Sequence, residues 1–372
     1  MISPPPEACG ARFASEPLLS LAEHTVTSEP FLISEPGEIP DLLRVRCYCP
    51  GMTARDPGRR PRLLDLFSGC GGLSLGFEAA GFEVAAAVDN WPEALAVYRR
   101  NFRHPAIELD LGDVDLAKAV LSEWTAGVDG IIGGPPCQDF SSAGRRVEAD
   151  RADLTEKFAR LVAAFLPKFF VMENVERAAK AAALRRAVEI FEARGYHVAR
   201  TVLDASRCGV PQIRKRLFTI GFLDQGSTAK AMAALTENLA PSPMTLRDYF
   251  GGALDFDHYY RHPRSYARRA VFSVDEPSPT VRGVNRPVPS GYPGHPGDTA
   301  PVTEGLRPLT TAQRAMVQTF PSDFWFGATK TAAEQMIGNA VPVKLAQYVA
   351  EAVRGALADE PAALSARADV AG

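Results

Sequence analysis

The sequence has no long apolar run, no secretory start and no large excess of charge of either sign. A membrane-spanning helix needs about 18 to 20 consecutive apolar residues, and no stretch of this chain approaches that length. The first residues, Met1 to Gly10, have neither a basic start nor an apolar core, so no secretory signal is expected. We therefore expect a cytoplasmic protein that does not enter a membrane.

Cysteine is also scarce, with six residues scattered along the chain. A disulfide framework is typical of small secreted chains, and this chain is neither small nor marked for secretion. Cys47 and Cys49 lie close together, but no second pair of cysteines or histidines is near enough to complete a zinc site. We expect two incidental thiols there and no bound metal.

The formal net charge of −3 argues neither for nor against nucleic acid, so charge has to be assessed locally. The stretch from His258 to Pro287 carries six arginines, two acidic residues and three interleaved tyrosines. The arginines are Arg261, Arg264, Arg268, Arg269, Arg282 and Arg286. Such a segment suits contact with phosphates, but a solvated basic face has the same composition.

Strand-like and helix-like stretches alternate from Arg62 onwards. The pattern predicts strands at Leu63–Phe67, Val84–Val88, Asp129–Gly133, Phe169–Met172, Val198–Leu203 and Leu217–Phe222. It predicts helices at Leu73–Ala80, Pro92–Asn101, Ala178–Arg194, Thr310–Gln318 and Pro342–Arg354. This alternation indicates an α/β fold with a doubly wound, mostly parallel sheet. Ligands of such sheets bind beyond the carboxyl ends of the strands.

Composition divides the chain into five parts. Residues 1–60 are rich in proline, glutamate and serine and are expected to form a poorly ordered extension. The sheet domain is expected at 61–223 and returns at 307–357. Between them, 224–306 is dense in proline, glycine, arginine and tyrosine and lacks long helical periods, which predicts a small irregular domain or long loops. Residues 358–372 are expected to be a disordered tail.

A glycine-rich turn follows the first predicted strand, between Asp65 and Gly72. Glycine at such a turn lets backbone N–H groups approach a ligand, and the following helix N-terminus favours negative charge. A tight turn that merely needs positive φ is the alternative. Asp89 ends the second strand and is a candidate acceptor for ribose hydroxyls, although Asp89 or Asn90 is equally suited to cap the helix at Pro92.

Three acids follow the next strand-like stretch. Asp110 is suited to accept a hydrogen bond from an adenine amino group, but Asp113 and Asp115 lie close by and leave that choice open.

Three further strand ends carry reactive residues. Two glycines and two prolines stiffen the chain just before Cys137, and a thiol presented in this way suits a nucleophile. Glu173 leaves an apolar strand, where burial raises the pKa of a carboxyl and allows it to donate a proton. Arg214 and Arg216 are two residues apart and point to one face of a strand. They suit a phosphate or a base carbonyl, or are simply charges on an edge strand.

Together these segments resemble those of the cytosine-C5 DNA methyltransferases. The matching segments occur in order: Phe67-Ser68-Gly69-Cys70-Gly71-Gly72, Pro135-Pro136-Cys137-Gln138, Glu173-Asn174-Val175, Gln212-x-Arg214-x-Arg216, Arg307-Pro308-Leu309-Thr310 with Phe320-Pro321, and Gln335 to Pro342. The resemblance covers about 62–355, and 224–306 lies where that family keeps its target-recognition domain.

The resemblance implies a covalent mechanism that uses S-adenosylmethionine. The Cys137 thiolate would add to C6 of cytosine while Glu173 hydrogen-bonds or protonates N3. C5 would then take the methyl group, and loss of the C5 proton with elimination of Cys137 would restore the base. By the same resemblance, Arg216 would hold the cytosine O2, and Arg214 would steady the catalytic loop and a phosphate.

The resemblance also implies the binding residues. The cofactor site would comprise Phe67, Ser68, Gly69, Gly71, Gly72, Asp89, Asn90, Asp110, Pro136, Asn339 and Val341. Duplex DNA would be contacted by Gln138, Ser141, Gln212, Arg261, Arg264 and Arg282. The target base would be flipped out of the duplex, with Ser141–Arg151 as the loop that closes over it. We expect a monomer, with any restriction endonuclease acting separately.

Two departures and two alternatives qualify the resemblance. Asp89 stands where the family usually has glutamate, and Asn90 replaces a bulkier neighbour, which leaves one adenine face without a predicted stacking partner. A eukaryotic branch methylates cytosine in transfer RNA, but its Cys-Phe-Thr signature does not occur in this sequence. A catalytically silent DNA-binding protein is the other alternative, and the intact Cys137, Glu173 and Arg216 argue against it.

Overall fold

The computed structural model describes residues 59–136, 154–265 and 267–358. The principal strands are β1 Arg62–Leu66, β2 Glu83–Asp89, β3 Ala106–Glu108, β4 Gly130–Gly133, β5 Phe169–Val175, β6 His197–Asp204 and β8 Lys215–Phe222, with the short β7 Gln212–Ile213 ahead of β8. Three short strands follow: β9 His258–Tyr260, β10 Val271–Ser273 and β11 Ser278–Pro279. The predicted N-terminal extension, apart from its last two residues, and 359–372 of the predicted tail lie outside these ranges.

The helices alternate with the strands. They are α1 Gly72–Ala79, α2 Pro92–Asn101, α3 Val114–Leu121, α4 Leu154–Phe165, α5 Ala182–Ala193, α6 Gln225–Glu237, α7 Leu246–Phe250, α8 Thr311–Val317, α9 Lys330–Asn339 and α10 Val343–Ala358. Local sequence fixes several helix starts. Pro92 opens α2, Asp113 caps α3 by accepting from the Leu116 amide, and Thr310 forms a capping box with Gln313.

The seven principal strands form one sheet in the order β3-β2-β1-β4-β5-β8-β6. All neighbours run parallel except β8, which is antiparallel to both β5 and β6. The predicted doubly wound, mostly parallel α/β fold is therefore confirmed. In the described part of the chain, no helix is both long and apolar enough to cross a membrane.

Helices cover both faces of the sheet, which explains why its central strands β1, β2, β4 and β5 are largely apolar. Leu63 packs with Phe77 of α1 and Val349 of α10 on one face. Its neighbour Leu64 packs with Phe158 of α4 on the other. The carboxyl ends of β1, β2, β4 and β5 are left uncovered by this packing, and the predicted ligand-binding residues follow those ends.

Two predicted features of the fold were wrong. The stretch after Leu223 was expected to lack long helical periods, but α6 occupies 225–237 and buries Ala231 and Leu235 in the same core as α10. This helix is alanine-rich and presents few large apolar residues, so its propensity is high while its hydrophobic periodicity is weak. The predicted helix from Ala178 is also interrupted, because Ala181 is extended and separates a 3₁₀ turn from α5.

Between α6 and α8 the chain is dominated by loops. β9 and β10 form an antiparallel pair, and β11 pairs with β7. Leu246, Tyr259 and Phe272 from this region share one apolar cluster with residues of α2, α8 and α9. Both predicted arrangements of 224–306, a small irregular domain or a set of long loops, stay predictions. The predicted domain boundaries stay a prediction.

Candidate active site

A cavity of about 540 Å³ lies at the carboxyl ends of the central strands. Segments widely separated in sequence converge on it, as expected for a switch point of a doubly wound sheet. The predicted site residues that line it are Phe67, Ser68, Gly69, Gly72, Asp89, Asn90, Pro136, Glu173, Arg214, Arg216, Asn339 and Val341. The cavity thus brings together most of the predicted cofactor residues with three of the four predicted catalytic ones.

The glycine turn between β1 and α1 forms one wall of the cavity. Gly71 has φ of 96°, and a side chain there would collide with Phe102. Gly72 lies close to the segment 307–357, which returns to the sheet domain and is called the return segment below. A Cβ on Gly72 would be 2.3 Å from the Val341 carbonyl oxygen. The turn therefore needs glycine both for its left-handed backbone and for close packing. Gly71 itself does not line the cavity.

Ser68 presents an unused hydrogen-bonding group at this wall. Its side-chain oxygen is buried and has no hydrogen-bond partner among the described residues, although Ser68 lines the cavity. A buried hydroxyl without a partner is destabilising unless a ligand or water completes it. The serine thus marks a polar ligand position beside the glycine turn.

Asp89 is held in place by two backbone amides. One carboxylate oxygen accepts from the Gly69 N–H at 2.7 Å and the other from the Trp91 N–H at 2.9 Å. Helix α2 has Trp91 at its cap position and no side-chain cap, so the capping alternative for Asp89 or Asn90 was wrong. Burial raises the pKa of Asp89, although these amide hydrogen bonds oppose that effect.

Trp91 is a cavity residue that the sequence analysis missed. It lines the cavity one position after Asn90, which was expected to leave one side of the site without an aromatic. Trp91 therefore adds an aromatic residue to the cavity lining. The signal was present in the sequence, since an aromatic follows the acid at the end of β2, but the expected spacing was one residue shorter.

The structure distinguishes the three acids after β3. Asp110 lines an adjoining cavity of about 200 Å³ together with Phe67 and Asp89. Asp113 accepts from the Leu116 amide as the cap of α3, and Asp115 forms an exposed pair with Lys118. Asp110 thus lines a cavity, whereas Asp113 and Asp115 are engaged in the helix cap and the exposed ion pair, so Asp110 is the acid that is best placed for a ligand.

Glu173 and Arg216 form a buried ion pair in the main cavity. Glu173 lies near the end of β5, and Arg216 lies opposite Val175 on the antiparallel β8. The Arg216 Nε donates to a Glu173 carboxylate oxygen at 2.9 Å. Burial raises the pKa of Glu173, and the guanidinium groups of Arg216 and Arg214 only partly offset this effect. The site thus favours a carboxyl that can hold a proton.

The turn that precedes the predicted nucleophile rests directly on this pair. The Asn174 side-chain amide donates to the Pro135 carbonyl at 3.3 Å, and a Cβ on Gly134 would be 3.2 Å from a Glu173 carboxylate oxygen. The end of β4 is therefore fixed against the end of β5. Cys137, Gln138, and the loop from Ser141 to Arg151 lie outside the described residues.

Arg214 lines the cavity and stabilises its wall through hydrogen bonds. It is 1% exposed, and its guanidinium donates to the Val281, Gly338 and Ala340 carbonyls at 3.1, 3.0 and 2.9 Å. The alternative of an edge-strand charge was wrong, because Arg214 is buried and Arg216 lies on β8, between β5 and β6. A role in steadying the catalytic loop and a phosphate stays a prediction, whereas the observed contacts are with Val281 and with the return segment.

Gln212 belongs to the same buried framework and does not line the cavity. Its side-chain NH₂ donates to the side-chain oxygen of Gln318 at 2.7 Å, and its own side-chain oxygen accepts from the Val281 backbone N–H at 2.8 Å. Gln318 then donates to the Ile337 and Ala340 carbonyls. Gln212 was predicted to contact DNA, but its side chain is fully buried and committed to these partners. Sequence reasoning missed Gln318.

The remaining predicted DNA contacts lie elsewhere. Arg261 and Arg282 line a second, small depression beside β9 and β11, while Arg264 is exposed. Burial, followed by the neighbouring Arg282, lowers the pKa of Arg261 to about 10.

A buried acid beneath the glycine turn gives a stability prediction. Asp65 is fully buried and accepts from the Ser74 hydroxyl at 2.6 Å, and burial together with the charge of Asp89 raises its pKa from 3.8 to about 7. The folded-state pKa of Asp65 lies above its unfolded value. The stabilisation that Asp65 gives the folded protein is therefore full below about pH 4 and is lost as the pH rises through about 7.

Replacing Asp65 by asparagine should therefore change how stability depends on pH. Relative to the wild type, the variant's free energy of unfolding should rise by on the order of 2 kcal/mol between pH 4 and pH 8. Urea denaturation at both pH values measures this difference. A difference between the two proteins that is the same at both pH values would contradict the assignment of a buried, neutral Asp65.

Comparison with known proteins agrees with this arrangement. Residues 62–355 match the family described as C-5 cytosine-specific DNA methylase. The chain is 54% identical to the Type II methyltransferase M.HgiDI of Herpetosiphon aurantiacus over 297 residues, covering 80% of this chain and 95% of that protein. It is 51% identical to M.HindV of Haemophilus influenzae over 294 residues, covering 78% and 96%.

Solved structures show the same fold at lower identity. The Entamoeba histolytica methyltransferase EhMeth superposes with a TM-score of 0.59 at 16% identity, covering 80% of this chain and 99% of that chain. The Schizosaccharomyces pombe Dnmt2 methyltransferase gives 0.58 at 18% identity with the same coverage. The family match spans the glycine turn, the Glu173–Arg216 pair and the return segment that together enclose the cavity, and the chain belongs to the C-5 cytosine-specific DNA methylase family.

Proposed function

We propose that the protein transfers a methyl group from S-adenosylmethionine to C5 of a cytosine flipped out of duplex DNA, with Cys137 as the nucleophile. The observation that carries the proposal is the buried Glu173–Arg216 pair, which lies in one cavity with the glycine turn. The Pro135–Pro136 turn, which immediately precedes Cys137, lines that same cavity. Membership of the family supports the reaction class.

The described residues fit the proposed cofactor. Ser68 has a buried hydroxyl without a partner, the glycine turn and α1 present backbone N–H groups that suit a carboxylate, and Asp89 is suited to ribose hydroxyls. Phe67 and Trp91 offer apolar surface for the adenine, and Asp110 is an acceptor for its amino group. The bound sulfonium would supply an electrophilic methyl group for the base.

The protein's own residues would make the cytosine reactive. The Cys137 thiolate would add to C6, forming a carbon–sulfur bond and shifting electrons through C5 and C4 onto N3. Glu173, whose pKa burial raises, would donate a proton to N3 and so neutralise the charge. After methylation, loss of the C5 proton to a base and elimination of the Cys137 thiolate would restore the aromatic ring, and N3 would return its proton to Glu173.

Arg216 would contact both Glu173 and the cytosine during this step. Its guanidinium holds the Glu173 carboxyl and has further N–H donors for the O2 oxygen of the base. Because both groups are buried, water would compete weakly for these hydrogen bonds once a base enters. The pair would thus select the N3 and O2 edge of cytosine and orient C6.

Transfer of labelled methyl groups tests the proposal. The full chain is incubated with methyl-labelled S-adenosylmethionine and either duplex DNA or transfer RNA, and the products are digested to nucleosides. We expect labelled 5-methyldeoxycytidine from DNA and no labelled cytidine from transfer RNA. Label in transfer RNA alone would favour a transfer-RNA cytosine methyltransferase. Sequence-specific DNA binding without methyl transfer would indicate a catalytically silent DNA-binding protein.

The choice of Asp110 among three acids gives a matched pair of variants. Asp110→Ala should weaken cofactor binding by roughly 10- to 150-fold, the range for one charge-assisted hydrogen bond. Asp113→Ala should leave affinity unchanged and lower stability by about 1 kcal/mol, because it removes the α3 cap. Calorimetric titration with the cofactor and urea denaturation measure the two effects. Equal affinities for the two variants would refute the assignment of Asp110.

A further inference from the structure

The backbone of Thr280 to Arg282 is held by four side chains from three separate segments. Gln212 accepts from the Val281 amide at 2.8 Å, and Arg214 donates to the Val281 carbonyl at 3.1 Å. Arg261 donates to the Thr280 carbonyl at 2.7 Å. Arg314, which is paired with Glu334, donates to the Arg282 carbonyl. Four backbone groups within three residues are thus fixed by charged or amide side chains.

This segment also packs directly against the wall of the active-site cavity. A Cβ on Gly338 would be 2.2 Å from the Gly283 nitrogen and 2.4 Å from the Arg282 carbonyl carbon. Gly338 itself lines the cavity that contains Glu173. Thr280 to Arg282 therefore lie on one side of Gly338, and the cavity that contains Glu173 and Arg216 lies on the other. A base contacted from this segment would lie close to the target cytosine.

Arg282 is the side chain that this rigid segment presents to the small depression beside β9 and β11. One of its terminal nitrogens donates to the His262 carbonyl, which fixes the plane of the guanidinium. Its Nε and Nη1 have no hydrogen-bond partner within the part of the chain that the structure describes. The guanidinium is half-buried and already oriented, and it retains a donor edge.

The surroundings of Arg282 are short of negative charge. The positive charges of Arg282, Arg314 and Arg264 all act on Arg261 and help burial to lower its pKa. Glu334 is already paired with Arg314, and no acidic residue lines the depression within the described chain. An electron-rich partner from outside would therefore relieve this repulsion.

We propose that Arg282 is a specificity-determining residue that binds the O6 and N7 edge of a guanine next to the target cytosine. This inference rests on the proposed function. Arginine pairs with that edge through two parallel hydrogen bonds, and it is the commonest specific contact to guanine. A rigid, half-buried guanidinium suits base recognition because little conformational entropy remains to be lost.

The exposed arginines of the same region provide the contrast. Arg264 and Arg286 are exposed, and neither has a hydrogen bond or ion pair within the described chain. Their backbone is not clamped in the manner of Arg282. Such side chains suit phosphates, which contribute affinity but carry no sequence information. Arg286 is therefore the matched control for Arg282, since both are arginines on the same loop, four positions apart.

The experiment compares two variants on modified duplexes. Bisulfite sequencing of DNA treated with the wild type first defines the methylated sequence. Each guanine of that sequence is then replaced in turn by 7-deazaguanine, which lacks the N7 acceptor. For the wild type, we expect one replacement near the target cytosine to lower kcat/KM by roughly 5- to 150-fold.

Arg282→Ala should lose a similar factor on the natural duplex and be insensitive to 7-deazaguanine at that position. Arg282→Gln should shift the preference at that position from guanine towards adenine, because glutamine pairs with adenine. This variant tests the inference if the alanine variant does not fold. Arg286→Ala should weaken all duplexes alike and reduce the slope of log affinity against log salt by about 1.

Two results would overturn the inference. The first is an Arg282 variant that keeps the wild-type response to 7-deazaguanine at every guanine. The second is an Arg282 variant that behaves like Arg286→Ala, with a uniform loss and a smaller salt slope, which would make Arg282 a phosphate contact. If the wild type itself forms no 5-methylcytosine, the proposed function fails instead, and the two failures are thereby distinguished.

Discussion

Replacing Cys137 by serine is expected to lower kcat by at least about 10⁴-fold, as removal of a catalytic nucleophile does in other enzymes. The reaction needs a thiolate, because a serine hydroxyl is a poor nucleophile near neutral pH without a strong base beside it. The proposed binding groups of the cavity, including Ser68, Asp89 and Arg216, are unchanged. Affinity for the cofactor and for duplex DNA should therefore stay within a few-fold of the wild type.

Single-turnover methylation of duplex DNA under saturating cofactor measures this loss, with calorimetry for cofactor affinity. Cys208→Ser is the matched control, because Cys208 is a buried thiol that hydrogen-bonds to the Asp204 carbonyl and does not line the cavity. It should retain the wild-type rate at a temperature where it is folded. Retention of more than a tenth of the rate by Cys137→Ser would remove the covalent step from the mechanism.

Glu173→Gln is expected to lower kcat by about 10²- to 10⁴-fold, the contribution typical of a positioned general acid. The glutamine oxygen can still accept from Arg216 Nε, so the geometry of the pair is kept while the acidic proton is lost. Without that proton, negative charge remains on the base after C6 is attacked. The adduct is then less stable, and the fraction of complexes that reach methylation falls.

The raised pKa of Glu173 adds a pH dependence with a definite sign. A carboxyl can donate only while it is protonated, so its contribution to kcat is present below its folded-state pKa and lost as the pH rises through it. Because burial raises that pKa, the loss should begin at a higher pH than for an exposed glutamate. The wild-type profile should show this basic limb, and Glu173→Gln should lack it.

Glu156→Gln is the control for this variant. Glu156 is a buried carboxyl paired with Arg186 but does not line the main cavity. Its substitution should affect stability and leave the pH profile of kcat as in the wild type. Equal losses of kcat in the two glutamine variants, or a basic limb that survives in Glu173→Gln, would contradict the role assigned to Glu173.

The sequence allowed the sheet and most of the cavity to be predicted, because the relevant information is local. Apolar runs that end in glycine, proline or acid mark the carboxyl ends of parallel strands, and those ends meet by topology. Phe67, Asp89 and Glu173 all line the cavity. Asp89 and Glu173 were singled out from their strand ends, and Phe67 from the resemblance. Helix α6 escaped prediction because alanine-rich helices carry little periodic signal, even when one face is buried.

Long-range contacts explain what sequence reasoning missed. Gln212 was predicted to contact DNA, and Arg214 to steady the catalytic loop and a phosphate. Their observed partners are groups of Val281, Gln318 and Gly338, and no local pattern identifies such partners. The separation between Arg214 and Gly338 is 124 residues. The special position of Arg282 likewise depends on four clamps from distant segments, so composition showed only one arginine among six.

Trapping on 5-fluorocytosine tests the central claim most directly. The wild-type chain is incubated with S-adenosylmethionine and a duplex whose target cytosine carries fluorine at C5, which cannot be lost as a proton. We predict a covalent protein–DNA complex that survives denaturation, with the modified peptide carrying the base on Cys137 by mass spectrometry. A wild-type chain that methylates the normal duplex but forms no such complex, or forms it at another residue, would contradict the account.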